Sequence, residues 1–198
     1  MLHKASNDDR TPPPVSRKRK IGTTVIAVIV VFVVITVFAW FSAANASDGG
    51  NPGTPSYRDT VGDFIQAIND ADVRSLFQII PAELINSYLT EEGIEKRDLM
   101  DLVQLELDET RENMILLYGE EWNITHEILE TRELVEEELQ ALQEEYRELE
   151  LEISNAMIVD LSLTFTEDPA PDAPTVQILL LKIGGSWYIT GDFLEVLN

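Results

Sequence analysis

No cysteine occurs in the 198 residues, and only two histidines do, one of them at position 3. The first absence excludes a disulfide framework, a thiolate zinc or iron–sulfur site and a cysteine nucleophile. The second leaves almost no material for a Ser-His-Asp triad or a multi-histidine metal centre. Basic residues are scarce as well. Fourteen Lys+Arg stand against 36 Asp+Glu, a formal charge of −22, and so acidic a chain repels phosphate backbones and excludes nucleic-acid binding through a basic patch. Neither a cofactor nor a metal is expected.

What is present is unevenly placed. Ile21 to Phe41 reads IGTTVIAVIVVFVVITVFAWF, without a charge. At ~1.5 Å rise per residue such a run spans the ~30 Å hydrocarbon core of a bilayer. Thr23, Thr24 and Thr36 bond back to helix carbonyls and cost little in lipid, and Trp40 beside Phe41 suits the interface. Of the 14 basic residues six precede this run, against two of the 36 acidic ones, so the chain beyond it carries −26. Arg17-Lys18-Arg19-Lys20 abuts the run, and positive charge stays in the cytoplasm. The expectation is a cytoplasmic tail over 1–20, extended at Thr11-Pro12-Pro13-Pro14 and lacking the apolar content to fold. A single transmembrane signal anchor over 21–41 follows, contacting the bilayer, then a Gly/Pro/Ser-rich tether over 42–56. One extracytoplasmic domain occupies 57–198, large enough for a single core.

The same stretch carries a second reading. Ala44-Asn45-Ala46 has the small-x-small pattern of a signal peptidase site, and cleavage there releases a secreted factor beginning at Ser47. The apolar run exceeds the ~7–15 residues of a signal core, which favours the retained anchor. An exported domain without cysteine fits a Gram-positive bacterium. Asn45-Ala46-Ser47 and Asn123-Ile124-Thr125 match the glycosylation sequon, a coincidence in such a setting.

Within the outer domain the hydrophobic period changes twice. Val61, Phe64, Ile65 and Ile68 predict an amphipathic helix over Tyr57–Asp70. Asp72 caps a short helix with Val73, Leu76, Phe77 and Ile80. Pro81 suits the first turn of a third helix, Pro81–Leu89. Lys96–Tyr118 is the longest, with Leu99, Val103, Leu107, Met114 and Leu117 inward and Gly119 closing it. Trp122, Ile124, His126 and Ile128 then alternate with Asn123, Thr125, Glu127 and Leu129, a strand. Glu133–Leu149 returns to helical spacing. Ile153–Thr166 alternates again, with Met157, Val159, Leu161, Leu163 and Phe165 on one face. Asp168-Pro169-Ala170-Pro171-Asp172 is a turn, Val176–Ile183 a strand, Gly184-Gly185 a two-residue hairpin, and Ser186–Thr190 the last strand. The order predicts an α+β fold, N-terminal helices packed on a curved antiparallel sheet with one inserted helix.

The closing phrase Leu181-Lys182-Ile183-Gly184-Gly185-Ser186-Trp187-Tyr188-Ile189 resembles the final hairpin of NTF2-like domains. The opening Tyr57-Arg58-Asp59-Thr60-Val61-Gly62-Asp63-Phe64-Ile65-Gln66-Ala67-Ile68-Asn69-Asp70-Ala71-Asp72 is similar to their first helix with its short acidic turn. With the element order, the stretch from Tyr57 to Asn198 resembles the exported NTF2-like domains of uncharacterised Firmicutes membrane proteins and lipoproteins. The resemblance implies a cone-shaped α+β fold and no particular activity. The inserted helix Glu133–Leu149 departs from the minimal pattern and is placed to cover the open face of the cone.

Enzymes of that fold place an acid–base Asp or His on the concave side. This makes His126 the candidate here and Asp160, on the next long strand, its companion. Asp160 lies on the face opposite Met157, Val159 and Leu161, where a strand residue is normally solvated. The carboxylates Glu136, Glu137, Glu138, Glu144, Glu145, Glu148, Glu150 and Glu152 lie along a helix without the Gly turn of a calcium loop, and read as its wet face. Near-heptad spacing at Val135, Leu139, Leu142, Tyr146, Leu149 and Ile153 offers a coiled-coil dimer, but Glu–Glu repulsion favours packing on the sheet and a monomer. The function expected is non-catalytic: a binding or scaffolding domain of the bacterial cell envelope, whose partner is an envelope protein, wall polymer or small ligand. The alternative is an NTF2-like enzyme using His126 and Asp160.

Overall fold

A computed structural model describes residues 52–165 and 174–190. The tail, the apolar run, the Ala46 cleavage site, most of the tether and the turn at Asp168–Asp172 lie outside the described residues. Among the described residues no helix is long and apolar enough to cross a membrane.

Four helices come first: α1 Tyr57–Asp70, α2 Val73–Gln78, α3 Ala82–Glu92 and α4 Lys96–Tyr118. Helix α1 starts where the Ser56 hydroxyl accepts from the Arg58 amide at 3.2 Å, satisfying one of the donors a helix start leaves open. Asp72 caps α2 in the same way, its carboxylate accepting from the amides of Arg74 at 2.9 Å and Ser75 at 3.2 Å and from the Ser75 hydroxyl at 2.7 Å. Pro81 stands just outside α3, at its N-cap, instead of inside the first turn. Its backbone there is extended (ψ 132°), and the helix runs three residues past the expected Leu89. In α4, Leu99, Val103, Leu107 and Met114 are buried as their spacing predicts. Thr110 fills the remaining inward position by returning its hydroxyl to the Glu106 carbonyl at 2.8 Å. Leu117 departs from expectation and is 43% exposed; the last turn docks instead through Tyr118, whose ring stacks on Phe165 at 6.0 Å.

Strands β1 Thr125–Glu133, β2 Ile153–Thr164, β3 Thr175–Ile183 and β4 Ser186–Ile189 form one antiparallel sheet in the order β1-β2-β3-β4. The fold is therefore α+β, as the element order predicts. Gly184 and Gly185 both have positive φ, 59° and 88°, which a two-residue turn matching the strand twist requires.

The inserted helix is the main correction. Glu133 belongs to β1, and the Leu134 amide donates to Ala156 at 3.0 Å, continuing the pairing with β2. What remains is α5, Glu136–Glu145, and a 3₁₀ turn at Arg147–Leu149 ended by Glu150 at φ 53°. Strand pairing takes the front of the predicted helix. At its rear, carboxylates four residues apart (Glu144, Glu148, Glu152) repel along a helix face. Ten helical residues fall far short of the three to four heptads a coiled coil needs.

The core lies between the sheet face carrying Val159, Leu161, Leu163, Val176, Ile178 and Leu180 and the helices. Helix α1 is tied to both margins of the sheet. At its start the Tyr57 ring meets Trp187 of β4 edge-on at 6.2 Å. At its end the Asn69 side chain holds both backbone groups of Ile124, next to β1, at 2.9 Å each.

Candidate functional site

His126 stands on β1 directly opposite Leu163, with Ile128 opposite Leu161. Opposed residues share a face, so the imidazole leaves the sheet toward the core side, where it is half-buried. Burial pushes its pKa below the ordinary value, because a desolvated imidazole holds a proton less well. Asp160 sits opposite Glu130 on β1 and Gln177 on β3. Its carboxylate accepts from the Gln177 amide at 2.6 Å. One residue of parity separates Asp160 from Val159 and Leu161, so it leaves the sheet on the other side. The two residues expected as an acid–base pair therefore project from opposite faces, and no shared pocket brings a proton from one to the other.

A bulge adds to this. The register of β1 against β2 slips at Leu129, between Ile128 and Glu130. One extra residue in an edge strand re-aims the side chains beyond it, and Leu129 is left 53% exposed.

Three of the five glutamates of α5 are occupied locally, Glu136 by the Gln140 amide at 2.9 Å. Glu138 accepts from the Val135 amide at 3.1 Å and pairs with Arg132 at 2.6 Å, which together hold its carboxyl below the usual range. Glu144 pairs with Arg147 at 2.7 Å. Among the described residues no three His, Asp or Glu side chains come together as a metal site.

Neither of two grooves formed by described residues contains His126 or Asp160. One, of about 250 Å³, runs between α1 and α2 and is lined by Asp63, Gln66, Asp70, Asp72, Ser75 and Gln78. Two of its three carboxylates are already engaged: Asp72 caps α2, and Asp70 accepts from Gln66 at 2.6 Å. The Ser75 hydroxyl and amide hold the Asp72 carboxyl below its ordinary value. The other, of about 500 Å³, lies by the β3–β4 turn and α5, with Gln143, Leu151, Glu152 and Ser154. Sequence reading missed both: the first exists only where two successive helices pack together, and the second joins residues from 143 to 185. It also missed three leucines, Leu102, Leu105 and Leu116, that α4 leaves in solvent.

No family model matches the chain, and no curated protein or solved structure matches it.

Proposed function

We propose that the chain is a single-pass membrane protein of the bacterial cell envelope whose outer domain binds or scaffolds and does not catalyse. The observation that carries this reading is the uncharged run Ile21–Phe41 directly behind Arg17-Lys18-Arg19-Lys20 and ahead of a strongly acidic domain. That order keeps the tail in the cytoplasm and places the domain outside. The non-catalytic part rests on His126 and Asp160 leaving opposite faces of the sheet. The domain is of the NTF2-like type, its helices and antiparallel meander forming the cone that the opening helix and closing hairpin resemble. An envelope protein, wall polymer or small ligand is its partner.

The absence of native cysteine makes the test clean. Ser6→Cys and Gln140→Cys, the latter exposed on α5, are each labelled with a membrane-impermeant maleimide in intact cells. The expected result is labelling of Gln140→Cys in intact cells, and of Ser6→Cys only after lysis, on a chain of full mass in the membrane fraction. Labelling of Ser6→Cys alone in intact cells overturns the orientation. A chain beginning at Ser47 in the medium overturns the anchor and makes the protein a secreted factor.

A further inference from the structure

Helix α4 buries one stripe, Leu99, Val103, Leu107, Thr110 and Met114. A second stripe runs along nearly the opposite side. Asp98, Leu102, Leu105, Glu109, Glu112 and Leu116 follow one another in alternating steps of four and three residues, the spacing of a helix seam. All six are exposed, Leu102 at 43%, Leu105 at 58% and Leu116 at 82%. At ~1.5 Å per residue the strip is roughly 27 Å long. Single exposed leucines are ordinary on protein surfaces. Three on one heptad strip, turned away from the core and separated by two glutamates, define a surface with a pattern.

The charges select what fits it. In a second copy laid antiparallel, Leu105 meets Leu116, but Glu109 meets Glu112 twice over, four carboxylates at the centre of the contact. In parallel register each glutamate meets itself. Like charges placed face to face oppose either arrangement. The chain's own residues 191–198 carry Asp192 and Glu195 and no basic residue, so they do not complement the strip.

We propose that the outer strip of α4 docks an amphipathic partner helix whose apolar seam is interrupted by lysine or arginine opposite Glu109 and Glu112. Leucines at both ends supply apolar burial, and the central glutamates fix register and exclude acidic partners. This deepens the binding reading of the domain by naming the class of partner.

The test uses the full chain in detergent micelles and a fluorescent three-heptad helical peptide. Its seam reads Leu-Lys-Lys-Leu-Leu-Lys, the antiparallel complement, and a control peptide has Glu for each Lys. The expected result is that the lysine peptide binds at least about tenfold more tightly than the control. The double variant Glu109→Lys/Glu112→Lys inverts that preference, and Leu105→Ser/Leu116→Ser weakens binding of both peptides. Circular dichroism of each variant stays that of the parent, because no substituted side chain is in the core. Equal binding of the two peptides, or a preference that the charge reversal does not move, overturns the proposal. A dimer at neutral pH that Leu105→Ser/Leu116→Ser abolishes assigns the strip to a second copy and overturns it equally. Charge-selective binding alongside a cytoplasmic result for Gln140→Cys leaves this docking intact and removes the envelope reading alone.

Discussion

The two margins of the sheet are built on opposite plans. The β4 margin is short and closed. Its four residues are flanked by Thr54, which exchanges backbone hydrogen bonds with Trp187 at 3.1 and 2.7 Å, and by Ile79, whose carbonyl accepts from Ile189 at 2.8 Å. The β1 margin is nine residues long and has no second strand beside it among the described residues, and it is guarded by chemistry: Glu127, Glu130, Arg132 and Glu133, with a bulge at Leu129. An open edge is a template for another strand, and charge and bulges are the usual ways of blunting it. A closed margin depends on the fit of the covering segments, whereas a guarded one depends on charge, and the two fail differently when altered.

The closed margin breaks most easily at Gly53. Its φ is +56°, and a Cβ there stands 2.6 Å from the Tyr188 ring and 2.8 Å from Ser186. Gly53→Ala combines a left-handed strain with overpacking and is expected to lose about 3 kcal/mol in a urea titration. Asn69→Ala strikes the attachment of α1 to the chain entering β1. It leaves both backbone groups of the buried Ile124 without the side chain that satisfies them, at an expected cost of about 2 kcal/mol by the same titration.

Asp72 bears on the closed margin from one element away, since it starts the short helix that leads to Ile79. Asp72→Ala is expected to cost about 1 kcal/mol at neutral pH. The Asp72 carboxyl is held below its ordinary pKa of 3.8 in the folded chain. Its stabilisation is therefore complete above the unfolded value, near 4, and is lost as pH falls through the folded one. Melting curves of parent and variant, well separated at pH 7, are expected to draw together as the pH falls below the unfolded value. A gap that does not narrow on acidification assigns the effect to something other than the ionised cap.

The guarded margin responds least in folding energy and most in behaviour. Removing its negative charges with Glu127→Thr, Glu130→Thr and Glu133→Thr changes monomer stability by no more than about 0.5 kcal/mol per site. Light scattering and sedimentation are nonetheless expected to show association that grows with concentration. The same three substitutions without association place the protection in the bulge alone.

How much of this the sequence carries follows the same division between local and non-local causes. The bounds of α1 and α4 are legible because a cap or a following glycine coincides with the end of a strong 3.6-residue period. The β3–β4 hairpin is legible because two adjacent glycines permit little else between alternating strands. The strand at Glu133 is not, since Glu133–Leu149 has a helical period throughout. Only pairing with Ala156, more than twenty residues away, decides its first part. Linker composition hides Thr54 in the same way: a residue expected in the flexible tether is buried and paired to Trp187. At the candidate site, the position of Asp160 on the polar side of its strand could be read from alternation alone. That His126 leaves from the other side follows from its place in the alternation with Trp122, Ile124 and Ile128, and the pairing with Leu163 agrees. In α4 the continuous apolar stripe Leu99, Val103, Leu107 and Met114 is legible from its spacing, whereas the three leucines left outside become visible only in the folded helix layer.

The Thr54–Trp187 pair also has a mechanical meaning. Tension delivered along the chain from residues before Gly53 enters the domain first through two backbone hydrogen bonds at the tip of the β4 margin. Behind them stand the Thr54–Thr60 hydroxyl contact and the start of α1. Because α1 is fastened again at Ile124 beside the opposite margin, a pull that survives the first pair is spread across the width of the sheet. The load path runs through the helix layer and reaches the sheet again at Ile124, the residue that leads into β1.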